Sequence, residues 1–146
     1  MPRHIPSALH EHLAARAGNV GPLRRMVVAF AADCGASDPQ CDNVGLAVTE
    51  ALTNAVLHAY ADRDVPGAMT VHASGHGSSL DVLVSDDGVG MVPRADDSPG
   101  MGLGVRLMTR VSDQLDIASG PLTSPGLRVR MTFAIDCERR PAAQPR

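Results

Sequence analysis

The sequence predicts an α+β two-layer sandwich, a mixed and mainly antiparallel sheet with helices on one face. Three observations lead there. Two amphipathic helical stretches stand together in the first half of the chain. Two pairs of alternating strands follow, separated by one further helix. The chain has 146 residues, 44% hydrophobic and 20% charged, which fits one globular domain without an internal repeat or linker.

The elements follow in order. Residues 1–20 are weakly patterned, and His10 to Ala14 is expected as an edge strand. Pro22 to about Ala32 is a helix, because Leu23, Met26, Val27 and Phe30 recur at helical spacing, and Gly35 suits its C-terminal cap. A stronger helix begins with Asp38 as N-cap and Pro39 at the first helical position. Val44, Val48, Ala51, Leu52, Ala55, Val56 and Ala59 form its apolar stripe, and it is expected to end near Tyr60. Met69 to Ser74 alternates as a half-buried strand, Gly75 to Gly77 turns, and Leu80, Val82 and Val84 alternate again, making a hairpin that ends at Asp86. Residues 91–99 are a polar, Pro-containing loop. A helix from about Leu103 to Val111 is expected to bury Leu103, Leu107 and Val111. Gln114 to Ser119 and Leu127 to Ile135 are the last strands, joined by a Pro/Gly-rich turn. The domain is expected over residues 1–137, with residues 138–146 a disordered tail.

Composition removes several functions. A net charge of -3 gives no nucleic-acid footprint, and no apolar run approaches the roughly 20 residues of a membrane span. No signal peptide is visible behind Arg3, His4, His10, Glu11, His12 and Arg16, so a cytoplasmic protein is expected, with His4, His10 and His12 solvated. Cys34, Cys41 and Cys137 lack metal-ligand spacing and are expected to be reduced thiols. The chain has no lysine; all 13 basic residues other than histidine are Arg. That excludes the P-loop, the strand lysine of eukaryote-type kinases and Schiff-base chemistry.

Three motifs carry chemistry. Glu50 and Asn54 lie four apart and share a helix face, pairing an acceptor for a hydroxyl proton with an oxygen ligand for a hard cation. His58, a further turn on, can donate to a phosphate. Asp86 ends an apolar strand, where an adenine amino group is one partner that satisfies a half-buried carboxylate, and Gly88 and Gly90 allow close approach of a ligand. Gly100, Gly102 and Gly104 precede a helix and suit an anion site. Each motif alone also fits a wet helix face, a plain turn or a hinge. Their order and spacing within one domain set them apart.

Together these motifs resemble the nucleotide-binding boxes of the GHKL ATPases, the gyrase, histidine kinase and MutL type, whose fold is the Bergerat ATP-binding fold. The segments VTEALTNAVLHAY, VSDDGVGM and GMGLGVRLMTRVSDQL are similar to the stand-alone anti-sigma factor serine/threonine kinases, over roughly residues 20–135. The resemblance implies Glu50 as general base and Asn54 as ligand of the Mg²⁺ that bridges the ATP phosphates. His58 takes a phosphate-side place, and Asp86 accepts from the adenine amino group beside Gly88 and Gly90. Gly100, Gly102, Leu103 and Gly104 belong to the ATP lid and phosphate cradle. The implied partners are a sigma factor and an anti-anti-sigma protein of STAS type, with a homodimer possible. A nucleotide-dependent partner-switching module with little kinase activity is the alternative. One departure stands out: many relatives carry Gly-Thr where this chain has Gly126-Leu127, so a hydroxyl that helps hold the adenine-side aspartate is missing. No phosphoacceptor helix pair precedes the domain in this sequence, which disfavours a full histidine kinase.

Overall fold

The structure, a computed structural model, describes residues 8–58, 67–88, 99–120 and 126–135, with only the backbone for His58 and residues 99–102. In chain order the elements are β1 (Ala8–Ala14), α1 (Ala17–Asp33), α2 (Asp38–His58), β2 (Ala68–His76), β3 (Ser79–Asp86), α3 (Pro99–Val111), β4 (Gln114–Ser119) and β5 (Leu127–Ala134). The five strands form one sheet in the order β1-β2-β3-β5-β4. Every pairing among them is antiparallel, which narrows the mixed sheet expected from sequence. The strand at His10 to Ala14 is indeed an edge, and His10 and His12 are exposed on it.

Period-two alternation sets the two faces of the sheet. Met69, Val71, Ala73, Leu80, Val82, Val84, Val129, Met131 and Phe133 are all buried. They meet Leu23, Val27, Phe30 and Ala31 of α1 and Val44, Ala47, Val48, Ala51, Leu52 and Ala55 of α2 in one core. Each fully buried Leu, Val or Met there contributes about 1.5–3 kcal/mol of transfer free energy. The scarcity of aromatics explains why methionines at positions 69, 108 and 131 fill core sites. The opposite face carries His10, His72, Asp116, Arg128 and Arg130, and no described helix covers it.

The helix ends show local rules at work. Gly35, at φ 103°, lets α1 stop: its N–H donates to the Ala32 carbonyl, and Ala36 N–H reaches the Ala31 carbonyl, both at 3.0 Å. This is a Schellman cap, as the glycine predicts. At its other end α1 starts five residues before Pro22, and Met26 is 38% exposed rather than buried. Pro22 forfeits only the bond to Gly18, while Asn19 anchors the first turn by donating to the Ala14 carbonyl at 2.8 Å. The N-cap of α2 is Ser37, not Asp38. Ser37 N–H donates to Gln40 Oε1 at 2.8 Å and Gln40 N–H to Ser37 Oγ at 3.3 Å, a capping box one residue upstream of the position expected. The hairpin turn is Gly77-Ser78, with Gly77 at φ 55° as the first residue of a type II′ turn requires.

Two expectations for α3 fail. The helix begins at Pro99, so Gly100, Gly102 and Gly104 lie inside it rather than before it. Pro99 favours this start because its fixed φ suits the first helical position. Leu103 is 68% exposed, whereas Gly104 and Met108 are buried. The helix turns its glycine, not its leucine, toward α2, and Val105 and Val111 complete its inner side. Tyr60, the 91–98 loop, Cys137 and the 138–146 tail lie outside the described residues. Among the described residues no helix is long and apolar enough to cross a membrane.

Candidate functional site

The site starts from the register of α2. Val48, Ala51, Leu52 and Ala55 face the core, so Glu50 and Asn54 emerge together on an adjoining, half-buried face. One turn of about 6 Å separates them. α3 packs across this face at Gly104. A Cβ built on Gly104 would stand 3.0 Å from Glu50 Oε2, 3.5 Å from Asn54 Nδ2 and 3.8 Å from Asn54 Oδ1. The carboxylate and the amide therefore both reach the backbone of the third glycine. Two motifs more than 40 residues apart in sequence meet in one place.

The third motif is built at the end of β3. Asp86 Oδ1 accepts from Gly88 N–H at 2.9 Å and from Leu127 N–H at 3.2 Å. Among the described residues these two bonds leave Oδ2 without a protein donor. Burial pushes the Asp86 carboxyl above its ordinary value; the two N–H donors pull it back, and the charge of Asp87 adds a smaller upward push. Asp87 in turn accepts from Ala68 N–H at 3.1 Å, fixing the β2–β3 end. One carboxylate oxygen is thus anchored and the other is available to an amino donor.

The Leu127 bond adds a contact that the sequence did not show. Leu127 supplies no hydroxyl, but its main-chain N–H gives Asp86 Oδ1 a second donor beside that of Gly88. Gly126 makes this possible. A Cβ there would collide with the Asp86 carbonyl oxygen and stand 2.8 Å from its carbon and 3.0 Å from Asp87 Cα. Gly126 was overlooked as a site residue, although a glycine immediately before the last strand was its signal.

The other candidates are placed less fully. His58 closes α2, with only its backbone described, and Gly88 is buried beside Asp86. Gly90 lies outside the described residues. Gly100 and Gly102 sit in the first turn of α3, where main-chain N–H groups have no partner within the helix. That position still suits an anion, although the glycines no longer form a loop ahead of the helix. Among the described residues no three His, Cys, Asp or Glu side chains form a ready metal cage. A Mg²⁺ held by one or two protein oxygens plus phosphates needs none, and the oxygens of Asn54 and Glu50 are donors of that hard kind.

The structure is a two-layer α+β domain in which Glu50, Asn54 and Gly104 meet where α3 packs on α2, and Asp86 is anchored separately at the end of β3. Residues 13–133 match the family model of the histidine kinase-like ATPase domain. The chain belongs to that family. It is similar to an anti-sigma F factor of Thermoanaerobacter sp., 27% identical over 136 residues that cover 86% of this chain and 92% of the relative. It is also similar to an anti-sigma F factor of Caldanaerobacter subterraneus, 29% identical over 135 residues with the same coverage. Among solved structures, the RsbU and RsbW domains of Rv1364c from Mycobacterium tuberculosis superpose with a TM-score of 0.69 at 23% identity over 92% of this chain, which spans 33% of that one. The blue-light activated histidine kinase domain of Erythrobacter litoralis gives a TM-score of 0.54 at 32% identity over 66% of this chain and 45% of that one.

Proposed function

We propose that this protein is an ATP-binding anti-sigma regulator that phosphorylates a Ser or Thr of an anti-anti-sigma protein of STAS type and sequesters a sigma factor. The observation that carries the proposal is the convergence of Glu50, Asn54 and Gly104 on one spot, close enough for base, metal ligand and phosphate-side backbone to act together. The similarity to anti-sigma F factors along almost their whole length supports the same partners.

In this mechanism Asp86 Oδ2 accepts from the adenine amino group while Oδ1 stays fixed by Gly88 and Leu127. The α3 N-terminus, with Gly100 and Gly102, and His58 at the end of α2 hold the phosphates. By resemblance to the family, Gly88 and Gly90 would give the adenine ring room and Leu103 would belong to the lid. Asn54 would hold a Mg²⁺, whose charge would stabilise that developing on the phosphate oxygens. Glu50 takes the proton from the attacking hydroxyl. The hydroxyl oxygen bonds to the γ-phosphorus as the β–γ bridging bond breaks, and ADP leaves. Positioning and charge stabilisation carry most of such a transfer, so few groups are needed.

The replacement of a threonine by Leu127 favours a second proposal, a partner-switching module that binds ATP and ADP with little transfer. Radiolabelled ATP with a STAS-type acceptor separates the two. Wild type labels the acceptor, and Glu50→Ala binds ATP but transfers at least about 100-fold less, the usual scale of general-base loss. Equal transfer by both proteins removes Glu50 from the role. ATP binding without transfer by either leaves the switching module. Asn54→Ala is expected to lose Mg-ATP affinity by calorimetry, and unchanged affinity would rule out its place in the site.

A further inference from the structure

We propose that Leu46 and Leu57 of α2, with Leu103, Arg106 and Arg110 of α3, form the docking surface for a polypeptide segment that is both apolar and acidic and that brings the acceptor hydroxyl to Glu50. The inference rests on the kinase proposal and names the chemistry of its substrate.

Four large apolar side chains are exposed among the described residues: Met26 at 38%, Leu46 at 49%, Leu57 at 60% and Leu103 at 68%. Scattered exposed leucines are ordinary. These are not scattered. Three of the four lie on the two helices that carry Glu50, Asn54 and Gly104. Leu46 and Leu57 are eleven residues apart, close to three full turns, so they fall on one stripe of α2 with Glu50 between them. Glu50 stands about 6 Å along the axis from Leu46 and about 10 Å from Leu57.

Charge selects the occupant. α3 contains no acidic residue, and Arg106 and Arg110 are exposed one and two turns beyond Leu103. The only salt bridge among the described residues joins Arg130 to Asp81 on the far face of the sheet. The α3 side therefore offers two unpaired guanidinium groups beside apolar surface, and a complementary segment is acidic. Glu50 and the exposed Asp42 on α2 oppose a nucleic-acid backbone. Glu50 further requires that whatever covers the stripe carries a hydroxyl. An extended chain advances about 3.3 Å per residue, so the spacing matches a Ser or Thr with apolar residues about two positions to one side and three to the other.

A fluorescent peptide with one Ser, Leu at those two positions and Asp elsewhere tests this against the full-length protein by anisotropy. The control peptide replaces Leu by Asn and Asp by Lys. Wild type is expected to favour the first peptide by at least about tenfold, a modest share of two buried leucines. Leu46→Asp and Leu57→Asp each weaken it about fivefold or more, and Arg106→Glu with Arg110→Glu reverses the charge preference, while the affinity for a fluorescent ATP analogue stays unchanged. No discrimination between the peptides, or discrimination that the variants leave intact, overturns the surface. Binding that follows the variants without phosphate transfer to the peptide keeps the surface and counts against the kinase proposal alone.

Discussion

Replacing Gly126 by Ala tests how the adenine-side aspartate is held. The added Cβ meets only backbone: the Asp86 carbonyl oxygen, its carbon at 2.8 Å and Asp87 Cα at 3.0 Å. No flexible side chain can swing away, so the end of β3 and the start of β5 must move apart. Forcing a methyl group into such a contact costs about 1–3 kcal/mol. The same movement lengthens the 3.2 Å bond from Leu127 N–H to Asp86 Oδ1, and losing a hydrogen bond to a charged group costs about 1.5–3 kcal/mol. Together the expected destabilisation is roughly 2–5 kcal/mol after the smaller entropic gain from removing a glycine. At about 3 °C per kcal/mol for a chain of this size, the melting temperature falls by about 6–15 °C. Differential scanning fluorimetry reads that shift, and calorimetry is expected to show ATP affinity falling at least tenfold. Gly77→Ala is the control: its φ is positive, at 55°, as that of Gly126 is not, and a Cβ there meets nothing within 4 Å, so it strains its own turn and loses stability alone. A Gly126→Ala protein that melts within about 2 °C of wild type and binds ATP normally would refute the reasoning, since the shift expected is several times larger.

Three further outcomes are expected. Gly104→Ala places its Cβ 3.0 Å from Glu50 Oε2, so phosphate transfer is expected to fall more than ATP affinity; the melting temperature holds or rises, because Ala is better than Gly in a helix by about 0.5–1 kcal/mol, and unimpaired transfer would contradict the contact. Asp86 holds its proton to a higher pH when folded than when unfolded, chiefly through burial, so stability declines as pH rises from the ordinary carboxylate value through the raised one. Asp86→Asn is expected to remove that decline in pH-dependent melting curves and to lose adenine binding, because its amide donors face the adenine amino group; a decline that persists in the variant would assign it to another carboxylate. Ser37→Ala opens the capping box of α2 and is expected to cost about 1 kcal/mol, or roughly 3 °C by fluorimetry, without touching nucleotide affinity.

Much of this fold was legible because period and punctuation agree. The β2–β3 hairpin, the apolar stripe of α2 and the Gly35 cap all declare themselves through spacing and special residues. The expectations failed where competing local signals were close in strength. Ser37 and Asp38 are both good N-caps, and only the reach of Gln40 decided between them. Pro22 is a natural helix start, yet five residues before it are helical because Asn19 pins the turn to Ala14. Leu103 has the right spacing to be buried in an isolated α3. It is exposed because the helix is rotated by its contact with α2, which no local period encodes. The site divides the same way. Glu50, Asn54 and Asp86 are visible as chemistry; Gly126 and the Leu127 N–H are visible only as geometry.

That division explains why two glycines matter as much as the charged residues they touch. Glu50 and Asn54 hold nothing in common with α3 in sequence, and a Cβ at position 104 would stand 3.0 Å from Glu50 Oε2, so the carboxylate would have to shift while the helix stays in place. Asp86 is half-buried at a strand end, and a side chain at position 126 would keep β5 from delivering the N–H that fixes it. In both places a side chain has been left out so that main chain can stand against a carboxylate. The consequences differ because the elements differ. Gly104 lies in α3, where alanine is intrinsically favoured, so its replacement separates turnover from stability. Gly126 lies at a strand junction bounded by backbone on every near side, so its replacement harms both together. A protein in which both substitutions lowered stability and turnover in the same proportion would not have the site described by these contacts. Opposite responses at the two glycines are what the contacts require.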